Sequence, residues 1–447
     1  MTLPVKPPIT PPIDWAATPV YPATPSEKAW EGSPTKVAPA LNYFTGEEPV
    51  LAETTNYVLR STVTSIVSLV APIDALYMQA QKQEASVWAG AALNWPASAT
   101  GTATPRRPCW SESHKSWALP YQDTNTAPGK VRLASLAGEG GIVHTTPGFI
   151  CAGVSHASSP SGSLISVYTS GGNLRVLHTA PYETGTDTDS VLASSVLGVG
   201  TAHTATCFFS PAINRFVILA CYVTVGGQIT KLFTVTESTG SVADVTPAWG
   251  AVVNSATTPI TAHYTDTMTH CVIALRANIS LSLVLRISAG GAVTIHFAAY
   301  QGSVALDHIS PIGLVFRGGA LYMYGATLNP AAAAFRIQRA TSSDGGITWV
   351  FGTVNTATQR QQLFGAIGQT FVLIGEKPGA FPLASVASSE DLGLTWQALP
   401  QAGGFEISAH IMTYAPEHGG MFCVAGALGF VCSLPVSTDP VEYTLTP

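Results

Sequence analysis

Charge is scarce in this chain: Asp, Glu, Lys and Arg together make up 10% of its 447 residues, against the roughly 25% usual in soluble domains. The net charge is −6 and the few Lys and Arg form no basic run, which argues against nucleic acid as a partner, since a phosphate groove needs clustered cations. Cysteine is sparse too. The seven that occur (Cys109, Cys151, Cys207, Cys221, Cys271, Cys423, Cys432) show neither Cys-x-x-Cys nor Cys/His finger spacing, and their odd number speaks against a disulfide framework. Cys151, Cys271 and Cys423 fall inside apolar runs and read as buried thiols of a protein made in a reducing cytoplasm. Long hydrophobic runs are missing as well. The longest, Val63 to Ala71, is broken by Thr and Ser and is far too short to span a bilayer, so no membrane insertion is expected. The start, Met1 to Pro8, has no apolar signal-peptide core. No Gly-x-Ser-x-Gly elbow and no His-Glu-x-x-His pair occurs.

What is present is an apolar fraction of 46% with abundant Gly and Pro, the balance of a turn-rich β protein. Residues 1–52 carry Pro4, Pro7, Pro8, Pro11, Pro12, Pro19, Pro22, Pro25, Pro34, Pro39 and Pro49. That density forbids helix and disfavours a central strand. An extended arm follows from it, and Trp15, Tyr21, Trp30, Tyr43 and Phe44 suit a strap lying along a partner better than a bare linker. Over residues 53–85 the pattern turns helical. Leu59, Val63, Ile66, Val70, Ile73 and Tyr77 alternate four-three spacings, the seam of a coiled coil, and β-branched residues at both seam positions favour three strands. The same residues also fit an amphipathic helix docked on the chain itself, and Pro72 should kink or restart it.

Further on the text repeats. Apolar runs beginning at Phe149, Phe216, Cys271, Tyr322, Phe371 and Phe422 recur about every fifty residues, with a longer first interval. Each reads as a buried strand followed by a second one. Two copies of one octapeptide stand out: Ser342-Ser343-Asp344-Gly345-Gly346-Ile347-Thr348-Trp349 and Ser389-Glu390-Asp391-Leu392-Gly393-Leu394-Thr395-Trp396. Their shared positions are Ser342, Asp344, Gly346, Thr348 and Trp349, and Ser389, Asp391, Gly393, Thr395 and Trp396. Gly supplies a positive φ, the carboxylate accepts turn N–H groups, and the Trp is free to wedge between sheets. Decayed copies lie at Thr236 to Gly240, Ser288 to Ile295 and Ser437 to Asp439.

Both octapeptides resemble the Asp-box of sialidase-type β-propellers. The resemblance implies a mainly β fold of four-stranded blades over residues 130–447, with six blades counted to the C-terminus. Residues 86–129 are left as a connector or a partial seventh blade, with Trp117 at the Trp position of its turn. It also implies that Asp-boxes lie on the turns from the third to the fourth strand, away from the substrate face. A sialidase further needs an arginine triad opened by Arg-Ile-Pro. Arg106-Arg107-Pro108 lacks the Ile, and Arg336-Ile337-Gln338 lacks the Pro and comes too late. A general glycosidase needs two facing carboxylates; Asp266, Glu376, Glu406 and Glu417 are available, but sequence does not place them together.

His263-Tyr264-Thr265-Asp266-Thr267-Met268-Thr269-His270 reads as a strand-connecting turn more readily than as a metal site. Gly138-Glu139-Gly140-Gly141 reads as a turn and not a phosphate loop. No catalytic residue, metal or cofactor is expected. The stretches His156 to Ser163, Thr224 to Gln228 and Lys377 to Pro382 are taken as second-to-third strand loops opposite the Asp-box face, small, polar and suited to a neutral glycan or protein surface.

Arm, heptad segment and β domain in that order look like a bacteriophage virion protein. The stretch Gly46 to Leu59 is similar to the start of the helix in many tail-fibre proteins. This resemblance implies a non-enzymatic structural or host-attachment protein, held to other virion proteins through residues 1–52 and assembled as a trimer. A host glycan or surface protein is the expected outward partner. A carbohydrate-active propeller enzyme and a cellular Asp-box scaffold or assembly factor are the alternatives.

Overall fold

A computed structural model describes residues 88–433 apart from stretches between strands, the longest being 250–261 and 399–411. The arm at 1–52, the whole helical segment 53–85 with its seam, and the decayed copy at Ser437 to Asp439 lie outside the described residues. All described residues belong to one unit, Lys82–Val436, and none of them is helical.

Among the described residues the strands form seven sheets of four or five strands, with one separate two-stranded pair, Ala97–Ser98 and Gly101–Thr102. In chain order the sheets begin with inner strands Cys109–Ser111, His156–Ser158, Thr204–Ser210, Ala262–Asp266, Ile309–Arg317, Arg360–Ile367 and Met412–Ala415. Each sheet then proceeds outward by antiparallel pairing. The inner strand of each sheet lies against that of the next, and the seventh returns to the first. Sheets arranged radially around a closed ring of inner strands make a β-propeller.

The seventh sheet is completed by the other end of the described chain. Trp88–Ala92 pairs antiparallel with Gly429–Ser433, in register from Trp88 opposite Ser433 to Ala92 opposite Gly429. The first sheet takes Cys109–Ser111, Ser116–Gln122, Gly129–Ser135 and Gly138–Thr145. The described strands of the 86–129 stretch therefore divide among the seventh sheet, the two-stranded pair and the first sheet, and position 130 falls inside a strand. Trp117 is a correction: it lies within the second strand, fully buried and edge-on to Trp110 at 5.5 Å, not at a turn. Gly138 to Gly141 is another, an outer strand paired through register shifts with Gly129–Ser135. An edge strand tolerates glycine because no sheet continues beyond it, and the shifts absorb its freedom.

The continuous apolar runs have a simple cause. A propeller strand is covered on both faces, so successive residues point into two different interfaces and all of them are apolar. In Arg215–Thr224, Phe216, Ile218 and Ala220 pack with Ile165, Val167 and Val176 of the second sheet. Val217, Leu219 and Cys221 pack with Cys271, Ile273 and Leu283 of the fourth. Burying each large side chain contributes about 1.5–3 kcal/mol. The same arrangement recurs between the fourth and fifth sheets and between the fifth and sixth. The runs starting at Phe216, Cys271, Tyr322, Phe371 and Phe422 all fall in second strands. The run at Phe149 does not. It belongs to the inner strand of the second sheet, whose second strand is Leu164–Ser170, and this one-strand offset accounts for the longer first interval. Cys109, Cys151, Cys207, Cys221, Cys271 and Cys423 are buried and form no disulfide.

Candidate functional site

The two octapeptides occupy the turns from the third to the fourth strand in the fifth and sixth sheets. In the first, Asp344 Oδ1 accepts hydrogen bonds from Ser342 Oγ (2.8 Å), Ile347 N (3.0 Å) and Thr348 N (2.9 Å), and Oδ2 accepts from Thr348 Oγ1 (2.5 Å). Gly346 N donates to Ser342 Oγ at 2.8 Å. In the second, Asp391 accepts from Ser389 Oγ, Leu394 N, Thr395 N and Thr395 Oγ1 at 2.6–2.9 Å. Donors converging on an ionised carboxylate favour the charged form. The hydroxyl and backbone N–H of Thr348, and those of Thr395, hold Asp344 and Asp391 well below the usual carboxylate range. Gly346 and Gly393 sit at φ 91° and 83°, a region open to glycine at little cost. Each Trp wedges inward: Trp349 joins the core between the fourth and fifth sheets, and Trp396 stands edge-on to Tyr324 at 5.6 Å. These carboxylates are committed to their turns, leaving them no role in acid–base chemistry.

Because strands alternate direction, turns joining first to second strands share the octapeptide side, and those joining second to third lie on the other. His156 to Ser163 is thereby corrected. It runs from a first to a second strand, on the octapeptide side, and Ser161 Oγ donates to Glu237 Oε1 in the third-to-fourth strand turn of the third sheet. Thr224 to Gln228 is on the opposite side as expected, with Val225 85% exposed at its tip. Lys377 to Pro382 lies outside the described residues.

A second constellation lies on the propeller axis. A cavity of about 30 Å³ is lined by Arg107, Val154, Thr206, His263, Tyr264, Gly313, Leu363, Thr413 and their neighbours, one or more from the inner strand of every sheet. That volume is room for about two waters. Four of the seven inner strands are irregular here. In the first sheet the pairing passes from Pro105 opposite Tyr121 to Cys109 opposite Ala118, one residue in excess, around Arg107. In the second, the stretch 151–155 loops out opposite Val167, and its Ala152–Val154 runs parallel to Thr204–Thr206 of the third sheet. In the fifth and sixth, Ile312 and Gln362 are the extra residues beside Gly313 and Leu363. Bulges re-aim side chains, and these four gather at the level of the cavity.

The polar groups there are unequal. Arg107 brings a guanidinium, and no described carboxylate lines the cavity with it; burial lowers its pKa from the ordinary value, which for arginine still leaves it charged. His263, 8% exposed, donates from Nε2 to Pro311 O at 3.0 Å. Burial first, then the Arg107 charge, push its pKa down to about 3, so the imidazole is neutral. Thr206, Thr413, Tyr264 and Tyr414 are also among the lining residues, and Tyr264 stacks on Phe208 at 3.8 Å between ring centres. Asp266, three residues beyond His263 on the same strand, accepts from Ser210 Oγ at 2.8 Å across the seam between the third and fourth sheets, and burial pushes it up to about 6.

Of the three arginines weighed in sequence, Arg107 reaches the cavity, Arg336 lies in the third strand of the fifth sheet, outside the lining, and Arg106 lies outside the described residues. Asp266 is not in the lining either, and Glu406, Glu417 and the Glu376 side chain lie outside the described residues. His263, Asp266 and His270 are not brought round a common point, and the described residues hold no metal-ligand cluster. Thr267 N and Oγ1 both donate to His270 O, closing an ordinary hairpin. Sequence reasoning weighed Arg107 only as a fragment of a failed motif. Its place on the axis depends on pairings between strands far apart in the chain.

No family model matches this chain. No curated protein matches it. Among solved structures it is similar to the Dos1 propeller, at 14% identity over 78% of this chain and 83% of that one, with a TM-score of 0.45. It is similar to an ancestral GH74 enzyme at 12% identity over 80% of this chain and 52% of the other, TM-score 0.46. A third similarity is to the SapL1 lectin in complex with alpha methyl fucoside, at 10% identity over 66% and 95% of the two chains, TM-score 0.39. An enzyme and a lectin stand side by side at these low identities, so the likeness carries nothing about activity.

Proposed function

We propose that this chain is a non-enzymatic bacteriophage virion protein whose seven sheets are the blades of a seven-bladed Asp-box propeller used for host-surface attachment or particle decoration. In this reading residues 1–52 attach to other virion proteins and the seam Leu59, Val63, Ile66, Val70, Ile73 and Tyr77 holds a trimer. The observation that carries binding over turnover is the axial cavity: bulged inner strands converge on one cation and one neutral imidazole, with no described carboxylate beside them. Hydrolysing a glycoside takes a facing pair of carboxylates. The well-formed turn carboxylates, Asp344 and Asp391, are spent on backbone donors.

Mass spectrometry of purified particles tests the reading, together with adsorption of the purified full chain to host cells. The protein is expected in the particle, lost from it when residues 1–52 are deleted, and inactive on a series of chromogenic glycosides. Turnover of any of those glycosides would establish the enzyme instead, and absence from particles would favour a cellular scaffold.

A further inference from the structure

We propose that the axial cavity is a binding site for a single carboxylate group, held by Arg107 and the hydroxyls of Thr206 and Thr413. The inference rests on the reading of the propeller as a binding module. It names the chemistry of what is bound. A half-buried guanidinium in a small, partly open cavity gives up part of its hydration, and that cost is recovered by a partner of opposite charge with good hydrogen-bond geometry. No described side chain supplies that partner. The fork of the guanidinium matches the two oxygens of a carboxylate in a bidentate pair. Thr206 and Thr413, from the third and seventh sheets, stand on the same lining.

Charge balance selects within anions. One fixed cation neutralises one negative charge, and His263 adds none, because its Nε2–H is turned to the Pro311 carbonyl and its ring is neutral. A dianionic phosphate would keep an unbalanced charge in a site with no second described cation. The walls also suit something small and flat. Tyr264, Phe364 and Tyr414 stand around it, and Gly313 lets the fifth inner strand approach the sixth so closely that a Cβ there would strike the Phe364 carbonyl oxygen.

Titration calorimetry and thermal melting of the full chain with sodium acetate, at ionic strength held constant with chloride, test the proposal. Saturable binding and a melting temperature that climbs with the logarithm of acetate above its dissociation constant are expected. Arg107→Lys should weaken acetate by about tenfold or more, since the charge is kept but the bidentate fork is lost. Arg107→Met should abolish the acetate response while melting at or above the wild-type temperature without acetate, as removal of a half-buried charge with no described carboxylate beside it predicts; a merely structural arginine would lower it. Inorganic phosphate should bind more weakly than acetate. The proposal is overturned by a wild type silent to acetate, by an acetate response that survives both substitutions, by melting of Arg107→Met below wild type, or by phosphate binding as tightly. If acetate is silent while the protein still adsorbs to cells, the cavity inference falls alone; if adsorption is absent as well, the attachment reading falls with it.

Discussion

At the octapeptide turns a carboxylate has its acceptor sites filled by donors within four residues of it in sequence; in the axial cavity a guanidinium stands among side chains drawn from seven sheets with no described carboxylate beside it. Each turn is a closed local circuit. The cavity is an open one, assembled by contacts that span the chain from Arg107 to Thr413. A charge whose partners are all internal stabilises the fold, whereas a charge held in a lined space without a partner is a cost the fold bears for some other end. The turn charges thus serve the fold, and the cavity charge serves the proposed binding.

The largest break in this contrast should come from the cavity wall. Gly313 is required by proximity: an added Cβ would lie well inside contact distance of the Phe364 backbone, which cannot rotate away. Gly313→Ala is expected to destabilise by about 3 kcal/mol, at the upper end for overpacking, and to reshape the cavity. Gly346 is required by its backbone, at φ 91°, where the nearest atoms to a Cβ stand at 3.3 Å or more. Gly346→Ala should cost about 1–2 kcal/mol, the penalty of a left-handed residue, and leave acetate binding untouched. Urea unfolding of both variants checks the order, and equal losses would remove the distinction between the two glycines.

The same division sets what could be read in advance. The octapeptides were legible because all their hydrogen bonds close within eight residues, so Ser, Asp, Gly, Thr and Trp at fixed offsets carry the whole geometry. Second strands such as Phe216 to Ala220 were legible because burial on both faces makes them continuously apolar. The inner strand around Phe149 passed for one of them, since an inner strand is as apolar as a second strand and only pairing tells them apart. Trp117 was misplaced for a related reason: a Trp after a turn-like stretch looks the same whether it caps the turn or begins the strand. The cavity was not legible at all. Its bulges at Ile312 and Gln362 exist only as mismatches of register against Gly325 and Ile374 and their neighbours, a property of two segments together.

A middle-sized effect is expected on the closed side. Asp344→Ala removes the acceptor for Ile347 N, Thr348 N and two hydroxyls, yet water reaches this turn and replaces part of what is lost. About 1–2 kcal/mol should go, and Trp349, whose Nε1 donates to Gly346 O at 3.2 Å, should become more exposed by fluorescence. Acetate binding should stay within twofold of wild type. A larger change in acetate affinity than in stability would mean that turn and cavity are coupled.

The smallest effect is the most discriminating, because it turns on sign. Asp344 and Asp391 have pKa values below their unfolded ones, so their contribution is fully present above an unfolded carboxylate pKa of about 4 and is lost as pH falls through the acid range below it. Asp266 goes the other way. Burial raises it to about 6 against the donors Ser210 and Cys271, so the folded chain holds a proton that the unfolded chain has released. Its contribution is present below about pH 4 and lost as pH rises through about 6. Wild-type stability should therefore sag between pH 4 and pH 6 and hold level above. Asp266→Asn, which keeps an acceptor for the Ser210 hydroxyl, should remove that sag, whereas Asp344→Asn and Asp391→Asn should leave it and alter only the steeper loss in stronger acid. Melting temperatures of the three variants from pH 3 to pH 8 decide the matter. If Asp266→Asn keeps the sag, the burial that separates the inner strand from the octapeptide turns is not felt by its carboxylate.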